Sequence, residues 1–327
     1  MRDLGTVVEW PGAAGKRERV TVGVLAPVES VWHPGHPVDV IGTLGPLRRG
    51  AGDPAHHVGG DGTFWWVSAT PDGAGTLALR GSHDGVRCAA WGPGAQWLLD
   101  GVAALLGAED DWADLDCSAY PLLEHTRRRH VGVRLPRTRL VLDALVPAVL
   151  EQRVTGGESV RAWRGLLRRF GTAAPGPLPS LRVPPSPDAL RSIPTWTWHR
   201  LGVDAARQRT IRAAATVASR LEECVGMARD AALARLRVVP GVGEWTAAET
   251  AQRALGDPDA VSVGDYHIHD VVVHALTGRP RGDDAEMLRL LEPWRGQRQR
   301  IVRLIELSGV AKPRFGPRYA PLDIRAI

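Results

Sequence analysis

The chain has 327 residues, enough for two or three domains, with 44% hydrophobic and 24% charged residues. No uninterrupted apolar run approaches a membrane span, the amino terminus lacks the basic-then-apolar pattern of a secretory signal, and Cys88, Cys117 and Cys224 are too dispersed for a disulfide framework, a zinc site or an iron–sulfur centre. A soluble, cytoplasmic protein with reduced thiols is expected, with no membrane partner and no metal site, because the pairs His56/His57 and His267/His269 lack a third and fourth ligand.

In chain order, strands come first. Residues 20–25, 65–69, 75–80 and 85–91 are β-prone, separated by the turn signals Gly60-Asp61-Gly62, Pro71-Asp72-Gly73 and Asp84-Gly85. Residues 95–106 then place Trp97, Leu98, Val102 and Leu105 at helical spacing and stop near Gly107, which predicts one helix packed on a small antiparallel sheet. Residues 1–125 thus read as an α+β domain.

Beyond Tyr120 the period is helical. Residues 140–152, 159–170, 204–221 and 230–238 carry apolar side chains three and four apart, and the Pro/Gly-rich stretch 171–187 reads as a surface loop between two helical subdomains. Residues 126–327 are therefore expected to form an all-α region.

Charge is distributed unevenly along this order. Residues 1–125 hold 8 basic and 16 acidic side chains, residues 126–220 hold 18 arginines against 5 acids, and residues 221–327 hold 15 of each sign. The middle third suits a polyanion, because the planar guanidinium fork matches phosphate geometry; a solvated face in an arginine-preferring sequence is the plainer alternative.

The chemistry concentrates between residues 229 and 278. A predicted helix meets Pro240-Gly241-Val242-Gly243, and a second begins at Glu244, so that residues 229–255 form a helical hairpin. Backbone N–H groups of such a turn, at the amino end of a helix, suit a phosphate, which positions a protein on DNA without reading a base. Alone, this motif also occurs in ordinary turns. Further on, Val261-Ser262-Val263-Gly264-Asp265-Tyr266 precedes a helix with Ile268, Val271, Val272, Ala275 and Leu276 on one face. Asp265 at its start is either a plain cap or a carboxylate placed to face a developing cation.

With these residues the chain resembles the helix–hairpin–helix DNA glycosylase superfamily, and within it the 3-methyladenine DNA glycosylase II branch. The resemblance rests on Pro240-Gly241-Val242-Gly243-Glu244-Trp245-Thr246-Ala247 and Asp265-Tyr266, and extends more weakly from about residue 140 to 303. It implies an N-terminal α+β domain followed by an all-α glycosylase body, and hydrolysis of the N-glycosidic bond of alkylated bases in duplex DNA during base-excision repair. Asp265 would be the catalytic carboxylate. Trp245, Glu249, Tyr266 and Arg303 would surround the base; Gln152, Arg153, Gly241, Val242, Gly243, Thr246, Arg295 and Arg298 would hold DNA, with Arg153 at or near the wedge that fills the gap left by the flipped nucleotide.

Three departures bear on subtype. Superfamily members that also cleave the backbone use a lysine amine where Trp245 stands, so the resemblance implies a monofunctional enzyme. Relatives usually place an apolar wedge where Arg153 stands, which leaves this loop open between wedging, pairing with the orphan base and holding phosphate; a tyrosine and a second aromatic fall on Glu249 and close to Arg303, which opens the substrate range. Trp245 itself is open between a stacking ring and a core side chain, and Glu249 between a contact to a cationic base and a pair with Arg303. No cofactor is required, although the family allows a monovalent cation at the hairpin. The expected partner is duplex DNA carrying a damaged base, met by a monomer in the cytoplasm at the nucleoid. A non-catalytic damage-binding protein and a same-fold glycosylase for other modified bases are the alternatives.

Overall fold

A computed structural model describes residues 26–311. The first elements form one antiparallel sheet: β1 (Val28–Trp32), a short helix α1 (Val40–Leu44), β2 (His56–Val58), β3 (Phe64–Thr70), β4 (Gly73–Ser82) and β5 (Gly85–Trp91), in the order β1-β5-β4-β3-β2. The three turn signals fall between β2 and β3, β3 and β4, and β4 and β5. Three of the expected strands are present. The fourth, at residues 20–25, lies outside the described residues, and β1 and β2 are additions that the β-propensity of 65–91 did not reveal.

The expected helix at 95–106 is two short ones, α2 (Ala95–Asp100) and α3 (Val102–Leu105), broken at Gly101. A Cβ at Gly101 would run into the guanidinium of Arg139, which stacks 4.0 Å over the Trp97 ring. Leu98, Val102, Leu105 and Leu106 close one face of the sheet over Phe64, Leu77, Leu79 and Val86.

The chain then enters the helical body through α4 (Pro121–Arg129), α5 (Val141–Leu150) and α6 (Gly156–Phe170). Helix α6 opens with a capping box: the Thr155 hydroxyl accepts from the Glu158 amide while the Glu158 carboxylate accepts from the Thr155 amide. The stretch 171–187 is not a crossing loop. It forms the ladder β6 (Thr172–Ala173) and β7 (Arg182–Val183), and Ala174, Leu181 and Val183 pack on Val67, so this segment docks on the sheet through apolar contacts.

Next come α7 (Pro187–Ser192), α8 (Thr195–Arg200), α9 (Ala205–Thr216), α10 (Ala218–Glu222), α11 (Arg229–Arg237) and α12 (Glu244–Ala254). The helix expected over 204–221 is split at Val217 into α9 and α10. Helices α5, α6, α9, α11 and α12 share one core around Leu145, Trp163, Trp198, Ile211, Leu236 and Ala247. The chain closes with α13 (Ile268–Thr277), α14 (Asp284–Leu291) and α15 (Arg298–Ser308), whose core takes in Trp112, Leu115 and Cys117 from before α4 and Leu123 from α4 itself. No described helix is long and apolar enough to cross a membrane.

Candidate nucleic-acid interface and active site

Helices α11 and α12 form the hairpin, with Val238 (77% exposed) and Pro240 at its tip. Gly241 has φ +88°, and a Cβ there would strike the Thr210 side chain on α9, so both conformation and close packing require glycine. Val242 is buried beneath the turn, whereas the backbone at Gly241 and Gly243 is exposed. Gln152, at the end of α5, donates from Nε2 to the Gly241 carbonyl (2.9 Å) and to Thr246 Oγ1 (2.8 Å). Thr246 is buried and faces this staple. Beside it, exposed Arg153 adopts φ +53°, a left-handed conformation that costs a non-glycine residue on the order of 1–2 kcal/mol.

Asp265 stands at the amino end of α13, half-buried, next to the start of α12. Its Oδ1 accepts from the amides of His267 (2.7 Å) and Ile268 (2.9 Å), and its Oδ2 accepts from Trp245 Nε1 (3.1 Å). It is thus a helix cap and also a carboxylate clamped from two sides. Trp245 is neither plain core nor free ring: its indole N–H orients Asp265. His269 Nδ1 lies 3.0 Å from the Asp265 carbonyl oxygen, behind the same turn. Tyr266 is 80% exposed and meets His267 edge-on, so it stands outside the enclosed region. Asp270, on the same helix, points inward and accepts from the Gly282 amide.

One turn along α12 from Trp245 lies Glu249, and here the expected pairing differs. Glu249 pairs with Arg253 (2.7 Å), its i+4 neighbour, and accepts from Ser262 Oγ (2.5 Å). Arg303 donates elsewhere, to Glu306 (2.9 Å) and to the Gly42 carbonyl (2.8 Å). Sequence reasoning missed Arg253, Ser262 and Arg49, which pairs with Glu151 at 3.4 Å. Burial works to lower the Arg253 guanidinium, but Glu249, Glu151 and Glu306 outweigh it and raise it; Arg49 is lowered by burial and by Arg253. The Glu249–Arg253 spacing was the available signal.

The two C-terminal arginines assigned to DNA have partners within the protein. Arg298 is bidentate on Asp259 (2.8 and 2.6 Å), and exposed Arg295 pairs with Glu292 (2.7 Å). No group of three or more His, Cys, Asp or Glu able to hold a metal occurs among the described residues.

Comparison with known proteins agrees with this architecture. No protein-family model matches the chain. The chain superposes on a 3-methyladenine DNA-glycosylase from Archaeoglobus fulgidus (TM-score 0.68, 13% identity, 86% of this chain and 98% of that one). It superposes equally on an 8-oxoguanine glycosylase/lyase from Clostridium acetobutylicum (TM-score 0.66, 10% identity, 92% and 98%). In sequence it is 33% identical over 216 residues, 63% of its length, to a probable bifunctional transcriptional activator/DNA repair enzyme AlkA of Mycobacterium tuberculosis. The chain spans less than half the length of that relative (42%). The fold, with its sheet, hairpin and following helix, is the one these two solved DNA glycosylases have.

Proposed function

We propose that the protein is a monofunctional DNA glycosylase that hydrolyses the N-glycosidic bond of alkylated bases, of the 3-methyladenine and 7-methylguanine kind, in duplex DNA. The observation that carries this reading is the carboxylate of Asp265, held by two amides and an indole N–H beside the exposed hairpin. The hairpin amides and the exposed arginines of 126–220 grip phosphates, Arg153 enters the gap, and the base leaves the stack. As the bond from C1′ to the base nitrogen breaks, its electron pair leaves with the base and positive charge builds on the sugar, which the fixed carboxylate stabilises. Water then adds to C1′ and gives up its proton to the Asp265 carboxylate. Trp245 occupies the place of the lyase lysine and has no amine, which supports hydrolysis without a covalent step.

A monovalent cation at the hairpin would use the turn's carbonyls, of which Gly241 already accepts from Gln152 and Val239 from Val242. No step of the reaction is routed through it.

One observation favours a second substrate class. The wall one turn from Trp245 is the Glu249–Ser262–Arg253 cluster rather than an aromatic ring, and such a wall suits a neutral modified base with hydrogen-bonding groups on its edge.

The test is base release from methylated duplex DNA, followed as abasic sites, for the parent and Asp265→Asn. Release that falls at least ~100-fold while DNA binding persists is the expected result. Binding without release from methylated DNA moves the assignment to other modified bases or to damage binding, and release that survives the substitution removes Asp265 from the mechanism.

A further inference from the structure

A cluster some distance from Asp265 has no part in the proposed chemistry. Trp196, on α8, is 55% exposed, and two guanidinium groups lie over its ring, Arg200 at 5.0 Å and Arg169 at 5.9 Å from the centroid. Arg169 also lies 5.7 Å from the Phe170 ring, and Arg168 is exposed beside it at the end of α6. Among the described residues, neither Arg169 nor Arg200 has a carboxylate within ion-pair distance. Two like charges on one exposed ring repel each other, and an anion between them relieves that repulsion.

The cluster is tied to the hairpin through α9. Gln208 of α9 donates to Thr195 Oγ1 (3.0 Å), next to Trp196, while Thr210 of α9 packs against Gly241 of the hairpin. Residues two apart on a helix are about 200° around its axis, so α8 and the hairpin flank α9 on opposite sides. Arg209 falls midway between them, and Arg212 shares that face; both are exposed, and neither is ion-paired among the described residues. A helix with its neighbours on each side spans roughly 20 Å, about six base-pair steps of duplex.

We infer that Arg169 and Arg200, held open by the Trp196 ring, form an accessory phosphate-binding site, and that Arg209 and Arg212 connect it to the hairpin along one strand of bound duplex DNA. Trp196 acts as a platform that fixes the two forks, since a base inside a duplex offers it no face to stack on. The inference rests on DNA as the partner and does not depend on which base, if any, is excised.

The experiment is salt-dependent binding of undamaged duplexes of about 24 and about 5 base pairs, the shorter closed by a loop to keep it paired and too short to reach from the hairpin to the site, with the slope of log K against log salt counting phosphate contacts. The double variant Arg169→Ala/Arg200→Ala should weaken the long duplex about tenfold near 0.1 M salt and make the slope shallower by about 2. Trp196→Ala, which keeps both charges, should weaken it about threefold, and binding of the short duplex should change less than twofold in either variant. Thermal melting checks that both variants are folded. Unchanged binding of the long duplex, or equal weakening at both lengths, overturns the assignment. Base release by the parent, measured separately on methylated DNA, tests the excision reading; its absence would end that reading and leave the binding result standing.

Discussion

The arginines of the middle helices and those of the C-terminal helices have the same chemistry and opposite circumstances. Between residues 126 and 220, five of eighteen, namely Arg128, Arg137, Arg191, Arg207 and Arg220, have a carboxylate within ion-pair distance among the described residues. From Arg229 onward pairing is the rule: Arg253 with Glu249, Arg279 and Arg289 with Glu286, Arg298 with Asp259, Arg300 with Asp110 and Arg303 with Glu306. Some of the other thirteen are still tied inside the protein, Arg127, Arg134, Arg139 and Arg164 donating to backbone carbonyls, so the contrast leaves exposed side chains such as Arg169, Arg200, Arg209 and Arg212 as those open to an outside anion. Sequence charge counts alone place the two regions apart, but they cannot say which individual side chain is committed.

The sharpest way to break this comparison is at Arg298. Asp259 has a side chain only 2% exposed, and Arg298→Ala leaves it with Arg229 at 3.2 Å as its remaining cation. The expected loss is about 3–5 kcal/mol of stability in urea unfolding, with the salt dependence of DNA binding unchanged. A variant that keeps its stability and instead loses a phosphate contact would place Arg298 with the DNA-facing group.

A smaller effect concerns a buried acid without a cation. Asp143 of α5 accepts from Ser68 Oγ (2.6 Å) across the boundary between sheet and helices, and burial raises its carboxyl to about 7. The native state therefore holds this proton up to about pH 7, whereas the unfolded chain releases it near its ordinary carboxyl value. Stability from this group is present at low pH and is lost as pH rises, with the loss complete above about 7. Asp143→Asn should remove that part of the pH dependence and melt higher than the parent at pH ~8; a parallel pair of stability–pH curves would show that the carboxyl is not the source. The smallest effect belongs to Arg289→Ala. Its pair with Glu286 spans 3.4 Å at a side chain 70% exposed, and unfolding should shift by no more than about 0.5 kcal/mol.

Much of the architecture was legible because local signals agreed with tertiary packing. The Asp and Gly turn residues marked the connections of β2 to β5, and Pro240 to Gly243 marked the hairpin. Where long-range packing decided, local reading failed: the Arg139 guanidinium fills the space where Gly101 would carry a side chain, and Ala174, Leu181 and Val183 pack the Pro-rich stretch on Val67. At the candidate site, Asp265 was found through its place before α13, and Trp245 through the hairpin motif. Their hydrogen bond joins residues twenty positions apart and has no sequence period to announce it. Glu249 was left open between a cationic base and Arg303, and its partner Arg253 stands four residues away on the same helix, where the local spacing rule pointed.

Gln152 has a mechanical consequence. Its single side-chain amide links the loop carrying Arg153 to both the turn and the first helical turn of the hairpin. The two projections cannot spread or close independently without giving up those bonds, so they meet an incoming surface as a pre-set gauge of fixed width. Whatever docks there must supply the bending itself, and a stiff, well-stacked partner is resisted where a locally weakened one yields.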